Sequence, residues 1–220
     1  TMRSINIFRY FASEGSRVPG HMVPSERDRV FMYAFRKPLG VVGLITPWNF
    51  PSAIPAWKLA PAMVAGNTVI MKPASASPLS AWSIIEACHE AGVPKGVVNF
   101  IAGSGSELGD ALVNAAPLKA ISFTGSCEIG NQLHEQASKR RLRIQLEMGG
   151  KNPTIVLNDA ILAKAVGNTV NAAFFSTGQK CTATSRVIVE EGIYDEFVAA
   201  LVEATKKLKV GNGLEAGVQI

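Results

Sequence analysis

From Val41 onward the chain repeats one pattern, a short run of almost unbroken apolar residues followed by a stretch with helical spacing. The runs are VVGLIT (41–46), TVIMK (68–72), VVNFI (97–101) and KAISFT (119–124). A strand with one solvated face alternates apolar and polar residues, so runs without alternation belong to parallel strands covered on both faces. Between them, PLSAWSIIEACHEAG opens on a proline suited to a first helical turn, spaces Leu79, Trp82, Ile85 and Cys88 helically, and stops at Gly92. This alternation predicts an α/β fold built on a doubly wound, mostly parallel sheet.

A second rhythm follows RIQLEMGGKNP. There TIVL and SRVIVE bracket the helical LAKAVGNTVNAAFFS, and 194–208 closes as an amphipathic helix. The boundary is expected near Gln145, giving a dinucleotide-binding domain over 1–144 and the start of an α/β catalytic domain over 145–220. Ahead of the first strand, INIFRYFASEG reads as a helix, and about 20–37 as an extended hairpin of alternating polar and aromatic residues without a core of its own. The chain ends in GNGLEAGVQI, a glycine-rich turn rather than a finished element, as a truncated chain would.

Composition narrows the class. A chain of 220 residues that is 47% hydrophobic can bury a real core, which excludes a disordered segment. No apolar run is long enough to cross a bilayer, and TMRSINIFRYFASEG lacks the apolar block and cleavage site of a signal peptide, so a cytoplasmic protein without membrane partners is expected. Cys88, Cys127 and Cys181 stand far apart with no CxxC and no histidine at metal spacing; free thiols are expected, with no metal site. Net charge is +5, and the densest basic run, SKRRLR (138–143), reads better as a solvated helix end than as a nucleic-acid patch.

Several positions can carry chemistry. Cys181, in FFSTGQKCTATSR, follows Lys180 and sits among small residues; it is either a thiolate nucleophile in an electropositive, partly exposed setting or a small buried hydrophobe. Cys88, on its helix, takes the buried reading. Asn49, in LITPWNFPSAIPAW, lies just past a strand's carboxyl end, where open α/β sheets bind ligands; it is an oxyanion donor or the cap of the next helix. Glu147, in LEMGGKNP, is a water-activating carboxylate or a surface charge. Gly103, Gly105 and Gly109 are spaced GxGxxxG, one residue longer than the dinucleotide fingerprint. Thr124, Gly125 and Ser126 stand at a helix mouth suited to a pyrophosphate, or at a plain helix start. Lys72, ending the second strand, stands near where such folds read the adenosine ribose; with Ser75 beside it and no acid before Glu86, the stretch permits a 2′-phosphate.

Taken together, PWNFP, KPAS, FTGS, LEMGGKNP and GQKC, in this order, resemble the aldehyde dehydrogenase superfamily over essentially all 220 residues. The resemblance implies a Rossmann-like cofactor domain and NADP or NAD as cofactor, with NADP the first expectation because many NAD-preferring members carry Glu where Ser75 stands. It makes Cys181 the nucleophile, Asn49 with the Cys181 backbone N–H the oxyanion donors, and Glu147 the general base. Cofactor contacts fall to Thr46, Pro47, Trp48, Lys72, Ser75, Gly105, Gly109, Phe123, Thr124, Gly125, Ser126, Met148 and Gly149. Phe50, Trp57 and Phe175 match aldehyde-tunnel positions or are core packing, and Tyr10 and Phe11 are weaker tunnel candidates. FPSAIPAWKLAPAMVAGNTVIMKPASASP and AAFFSTGQKCTATSR look most like the 2-oxoglutarate semialdehyde (2,5-dioxopentanoate) branch, with succinate semialdehyde dehydrogenases next. The resemblance also implies a homodimer or homotetramer joined through the hairpin, and a later segment absent from this chain that carries a second ribose-binding glutamate and a phenylalanine. An inactive nucleotide-binding or oligomer-interaction fragment is the reading from another class. A thiol hydrolase is disfavoured, because none of His21, His89 and His134 has a motif-supported place beside the cysteine.

Overall fold

The computed structural model describes residues 2–220. Two compact units partition the chain, Thr1–Met148 and Gly149–Ile220. In the first, helix α1 (Met2–Glu14) precedes an antiparallel pair, β1 (His21–Val23) with β2 (Met32–Ala34). The remainder alternates: β3 (Val41–Ile45), α2 (Ala53–Val64), β4 (Thr68–Lys72), α3 (Pro78–Glu90), β5 (Val98–Phe100), α4 (Gly105–Asn114), β6 (Leu118–Gly125), α5 (Cys127–Lys139) and β7 (Arg143–Met148).

Strands β3 to β7 form one parallel sheet in the order β5-β4-β3-β6-β7. Three of the apolar runs become its interior strands, β4, β3 and β6, and the fourth becomes the edge strand β5. Val42, Leu44, Val69, Met71 and Val98 pack with Leu59 of α2 and Ile85 of α3 in one cluster; Leu118, Ile121 and Phe123 pack with Leu112, Val113 and Leu133 in another. Strand β7 pairs with β6 from Ala120↔Arg143 to Gly125↔Met148. The sheet therefore claims residues to Met148, where the first compact unit ends. RIQLEM alternates in burial over most of its length, as suits an edge strand with one open face.

The helix expected around SIIEACHE is α3, with Pro78 in its first turn. Arg140, from the basic run after α5, donates to the carbonyls of Val113 and Ala115, the latter at 3.1 Å. That guanidinium closes the end of α4.

The second unit holds β8 (Asn152–Val156), α6 (Leu162–Phe174), a 3-10 turn (Phe175–Gly178), β9 (Thr184–Val189) and α7 (Glu191–Lys206). Strands β8 and β9 pair in parallel, and Val156, Val166, Val170, Ile193 and Phe197 form the core. Among the described residues, no helix is long and apolar enough to cross a membrane.

Candidate active site

The winding of the first unit creates a crevice. From β3 the chain runs outward through β4 and β5, then returns to place β6 on the other side of β3. Connections leaving the carboxyl ends of β3 and β6 diverge, and such a reversal is where open α/β sheets bind ligands. Thr46, Pro47, Trp48, Asn49 and Phe50 leave β3 there. Thr124 and Gly125 end β6, and Ser126 follows as the N-cap of α5, its hydroxyl accepting from the Ile129 N–H at 3.3 Å. The N-cap of α2 is Ser52, so Asn49 is not that helix's capping residue.

Beside this reversal, Ile45, Lys72, Gly105, Gly109, Ile129 and Leu133 line a cavity of about 410 Å³. A Cβ at Gly105 or Gly109 would meet nothing within 4 Å, so both glycines face open space. The buried Lys72 ammonium donates to the Pro73 carbonyl at 3.0 Å, and burial lowers its pKa. Ser75 donates to the Gly103 carbonyl at 3.0 Å. The Thr46 hydroxyl is buried with no hydrogen-bond partner among the described residues, an arrangement that costs about 1–3 kcal/mol unless an outside group supplies one. A glycine-lined slot, an orphaned hydroxyl and a helix N-terminus together fit a dinucleotide.

Two predicted cofactor residues serve packing directly. Phe123 is buried in the sheet core, and a Cβ at Gly125 would lie 2.4 Å from its ring. Gly125 is thus required by Phe123 whatever else approaches. Met148 lies against Gly130 of α5 in the same way.

Glu147 stands on β7 in register with Thr124. Residues two apart on a strand share a face, and the Gln145 amide donates to Glu147 Oε1 at 2.6 Å. The Gln145 carbonyl accepts from Lys58 Nζ at 3.3 Å and from the Ser122 hydroxyl, while Lys58 also donates to Ser122 Oγ at 2.8 Å. Lys58 projects from α2 and is 7% exposed. Burial drives its pKa from 10.5 down to about 8, partly offset by the negative charge of Glu147. Sequence reasoning passed over Lys58, Ser122 and Gln145. The signal was a lone lysine in the apolar stretch IPAWKLAPAM.

In the second unit Cys181 occupies a turn between the 3-10 segment and β9, and it is exposed while Cys88 is buried. The Asn152 side-chain amide holds that turn, donating to the carbonyls of Cys181 at 2.6 Å and Ala183 at 3.3 Å. Ser176 (φ 57°), Thr177 (φ 52°) and Gly178 (φ 66°) precede it in left-handed conformation. A Cβ at Gly178 would stand 2.9 Å from the Ala173 carbonyl, so only glycine fits. Phe175 is half-buried against the second unit's core. Asn152 was also missed, since its role depends on a turn 29 residues away.

Residues 1–220 match the aldehyde dehydrogenase family throughout. The chain belongs to that family. It is 49% identical over 218 residues to the alpha-ketoglutaric semialdehyde dehydrogenase of Bacillus subtilis, covering 99% of this chain and 45% of that relative. A solved E. coli NADP dependent enzyme superposes with a TM-score of 0.95 at 41% identity, over 99% of this chain and 45% of that one. The succinate-semialdehyde dehydrogenase of Burkholderia pseudomallei gives 0.96 at 36% identity, over 100% and 45%. This aldehyde dehydrogenase chain thus spans a little under half the length of these relatives. Its first unit gathers Thr46 to Phe50, Thr124 to Ser126 and Glu147 at the carboxyl edge of one sheet, and its second unit carries Cys181.

Proposed function

We propose that this chain supplies the cofactor crevice, oxyanion donor, base and nucleophile of an NAD(P)-dependent aldehyde dehydrogenase acting on a carboxylate-bearing semialdehyde. The observation that carries this reading is the convergence of Asn49, the α5 mouth and Glu147 at the topological switch of the sheet. 2-Oxoglutarate semialdehyde is the first choice of substrate, supported by the likeness to the B. subtilis relative; succinate semialdehyde is the second. NADP is the first choice of cofactor, because Lys72 and Ser75 stand where an acidic side chain would repel a 2′-phosphate.

In this reading the Cys181 sulfur bonds to the aldehyde carbon, and the oxyanion is held by the Asn49 amide and the Cys181 N–H. NAD(P), when bound, would supply the hydride acceptor that takes the thiohemiacetal carbon on Cys181 to a thioester. Glu147 takes a proton from water, whose oxygen bonds to that carbon as the C–S bond breaks, releasing carboxylate and thiolate. Thr46, Pro47, Trp48, Gly125, Ser126, Met148 and Gly149 serve the dinucleotide, with Lys72, Ser75, Gly105 and Gly109 at its adenosine end. Phe50, Trp57 and Phe175 flank the aldehyde, and the three free thiols suit a cytoplasmic location.

The chain's share of its relatives' length favours a second reading, an inactive nucleotide-binding or oligomer-interaction fragment. Incubation with each semialdehyde and NADP or NAD, beside Cys181→Ala, separates the two. The expected outcome is reduced cofactor and an acylated Cys181 peptide by mass spectrometry, both abolished in the variant; a folded chain showing neither supports the fragment.

A further inference from the structure

Glu147 stands at the end of a directed chain of hydrogen bonds. Strands β6 and β7 set Ser122 opposite Gln145 and Thr124 opposite Glu147, and Lys58 reaches the first of these pairs from α2. The Lys58 ammonium donates to Ser122 Oγ at 2.8 Å and to Gln145 Oε1 at 3.3 Å, and the Ser122 hydroxyl donates to that same Oε1. Gln145 Nε2 in turn donates to Glu147 Oε1 at 2.6 Å. Every donor points from the buried ammonium toward the carboxylate, an order in which each bond polarises the next.

Lys58 fixes the sense of that chain, because an ammonium has three donors and no acceptor. Turned end for end, the Gln145 amide would set its NH2 against a cation that is 7% exposed, leaving buried donors face to face. The amide nitrogen is thereby locked toward Glu147. The lock also tells the two carboxylate oxygens apart: Oε1 is engaged, whereas Oε2 accepts no hydrogen bond among the described residues, and Glu147 is exposed. A carboxylate held at one oxygen keeps a fixed plane and a free lone pair, which is what a base needs to meet water in a reactive geometry.

We propose that Gln145, anchored by Ser122 and Lys58, is the positioning residue that holds Glu147 Oε1 so that Oε2 faces the attacking water. This rests on the activity proposed above, with Glu147 as its base, while the positioning residue comes from the network itself. In the hydrolytic step Oε2 takes the proton of water, the water oxygen bonds to the thioester carbon, and the C–S electron pair leaves with Cys181.

Two readouts on the 220-residue chain test it. The Gln145 side-chain amide resonance, assigned by its loss in Gln145→Met, is followed by NMR. The parent should show one N–H proton shifted downfield by its charged acceptor, and Glu147→Gln should move it back. With 2-oxoglutarate semialdehyde and NADP, the burst of reduced cofactor reads acylation of Cys181, and decay of the acylated peptide by mass spectrometry reads hydrolysis. Gln145→Met should leave the burst unchanged and slow hydrolysis about tenfold or more; Ser122→Ala should slow hydrolysis less. An amide proton indifferent to Glu147→Gln, hydrolysis undiminished in Gln145→Met, or burst and hydrolysis falling together, as a merely structural role requires, each overturns the proposal. No burst in the folded parent overturns the activity instead, and the amide shift then decides the pairing alone.

Discussion

At the scale of single residues, Lys58 is the group whose environment departs furthest from that of an ordinary lysine. Holding its pKa at about 8 against 10.5 corresponds to about 3 kcal/mol against the charged form. Below pH 8 both folded and unfolded chains carry the proton, and the folded state bears the full burial penalty. Between about pH 8 and 10.5 the unfolded chain retains a proton that the folded chain has released, so folding stability rises with pH. Urea unfolding of the parent should show that rise across this window, and Lys58→Met should show it reduced. Equal slopes in the two proteins would mean that Lys58 titrates normally. None of this was legible one residue at a time. Lys58, Ser122 and Gln145 meet across separations of 64 and 87 residues, through a helix crossing and the pairing of β6 with β7. By contrast Cys181, Asn49 and Glu147 could be singled out as candidates because each sits in a short local motif.

At the scale of elements, strands were read more easily than helices. Runs such as TVIMK and KAISFT announce buried parallel strands by their unbroken hydrophobicity. Helix α2 carries Pro61 in its interior, and α4 opens on a glycine-rich turn, so neither displays clean helical chemistry. For α4 the Ser104–Glu107 capping box sets the start: the Ser104 hydroxyl accepts from the Glu107 N–H, and the carboxylate accepts from the Ser104 hydroxyl and from the Ser104 N–H, which lowers the Glu107 pKa. Gly105 and Gly109 then fall one turn apart on the face that looks into the cavity. Gly109 lacks a left-handed backbone, so alanine fits its conformation and should add about 0.5–1 kcal/mol to stability. The added methyl projects into the cavity proposed to hold the dinucleotide. Gly109→Ala should therefore melt higher than the parent and bind NADP about tenfold more weakly by calorimetry. Unchanged affinity would move the dinucleotide off this face of α4.

For the molecule as a whole, the β1–β2 ribbon is the feature least explained by the chain itself. Every residue in its two strands is exposed, and a lone two-stranded ribbon is marginal in water. Phe31, Tyr33 and Phe35 stand in a row with centroids 5.5 and 5.7 Å apart, and Lys37 lies 5.1 Å from the Phe35 ring centroid. Tyr33 and Phe31 are 62% and 69% exposed, too much apolar surface in one place for a face meant only for water. Free strand edges beside that row offer backbone donors and acceptors to another chain. A second copy joining its own sheet to this ribbon satisfies both features, in line with the homodimer or homotetramer expected from the sequence. Light scattering should find a mass that rises with concentration toward a defined oligomer. Tyr33→Lys, which puts a charge in the middle of the row, should return the protein to the mass of one chain. Because Tyr33 contacts no core cluster, its unfolding free energy should stay within about 0.5 kcal/mol of the parent. A parent of single-chain mass at every concentration would assign the aromatic row to a different partner.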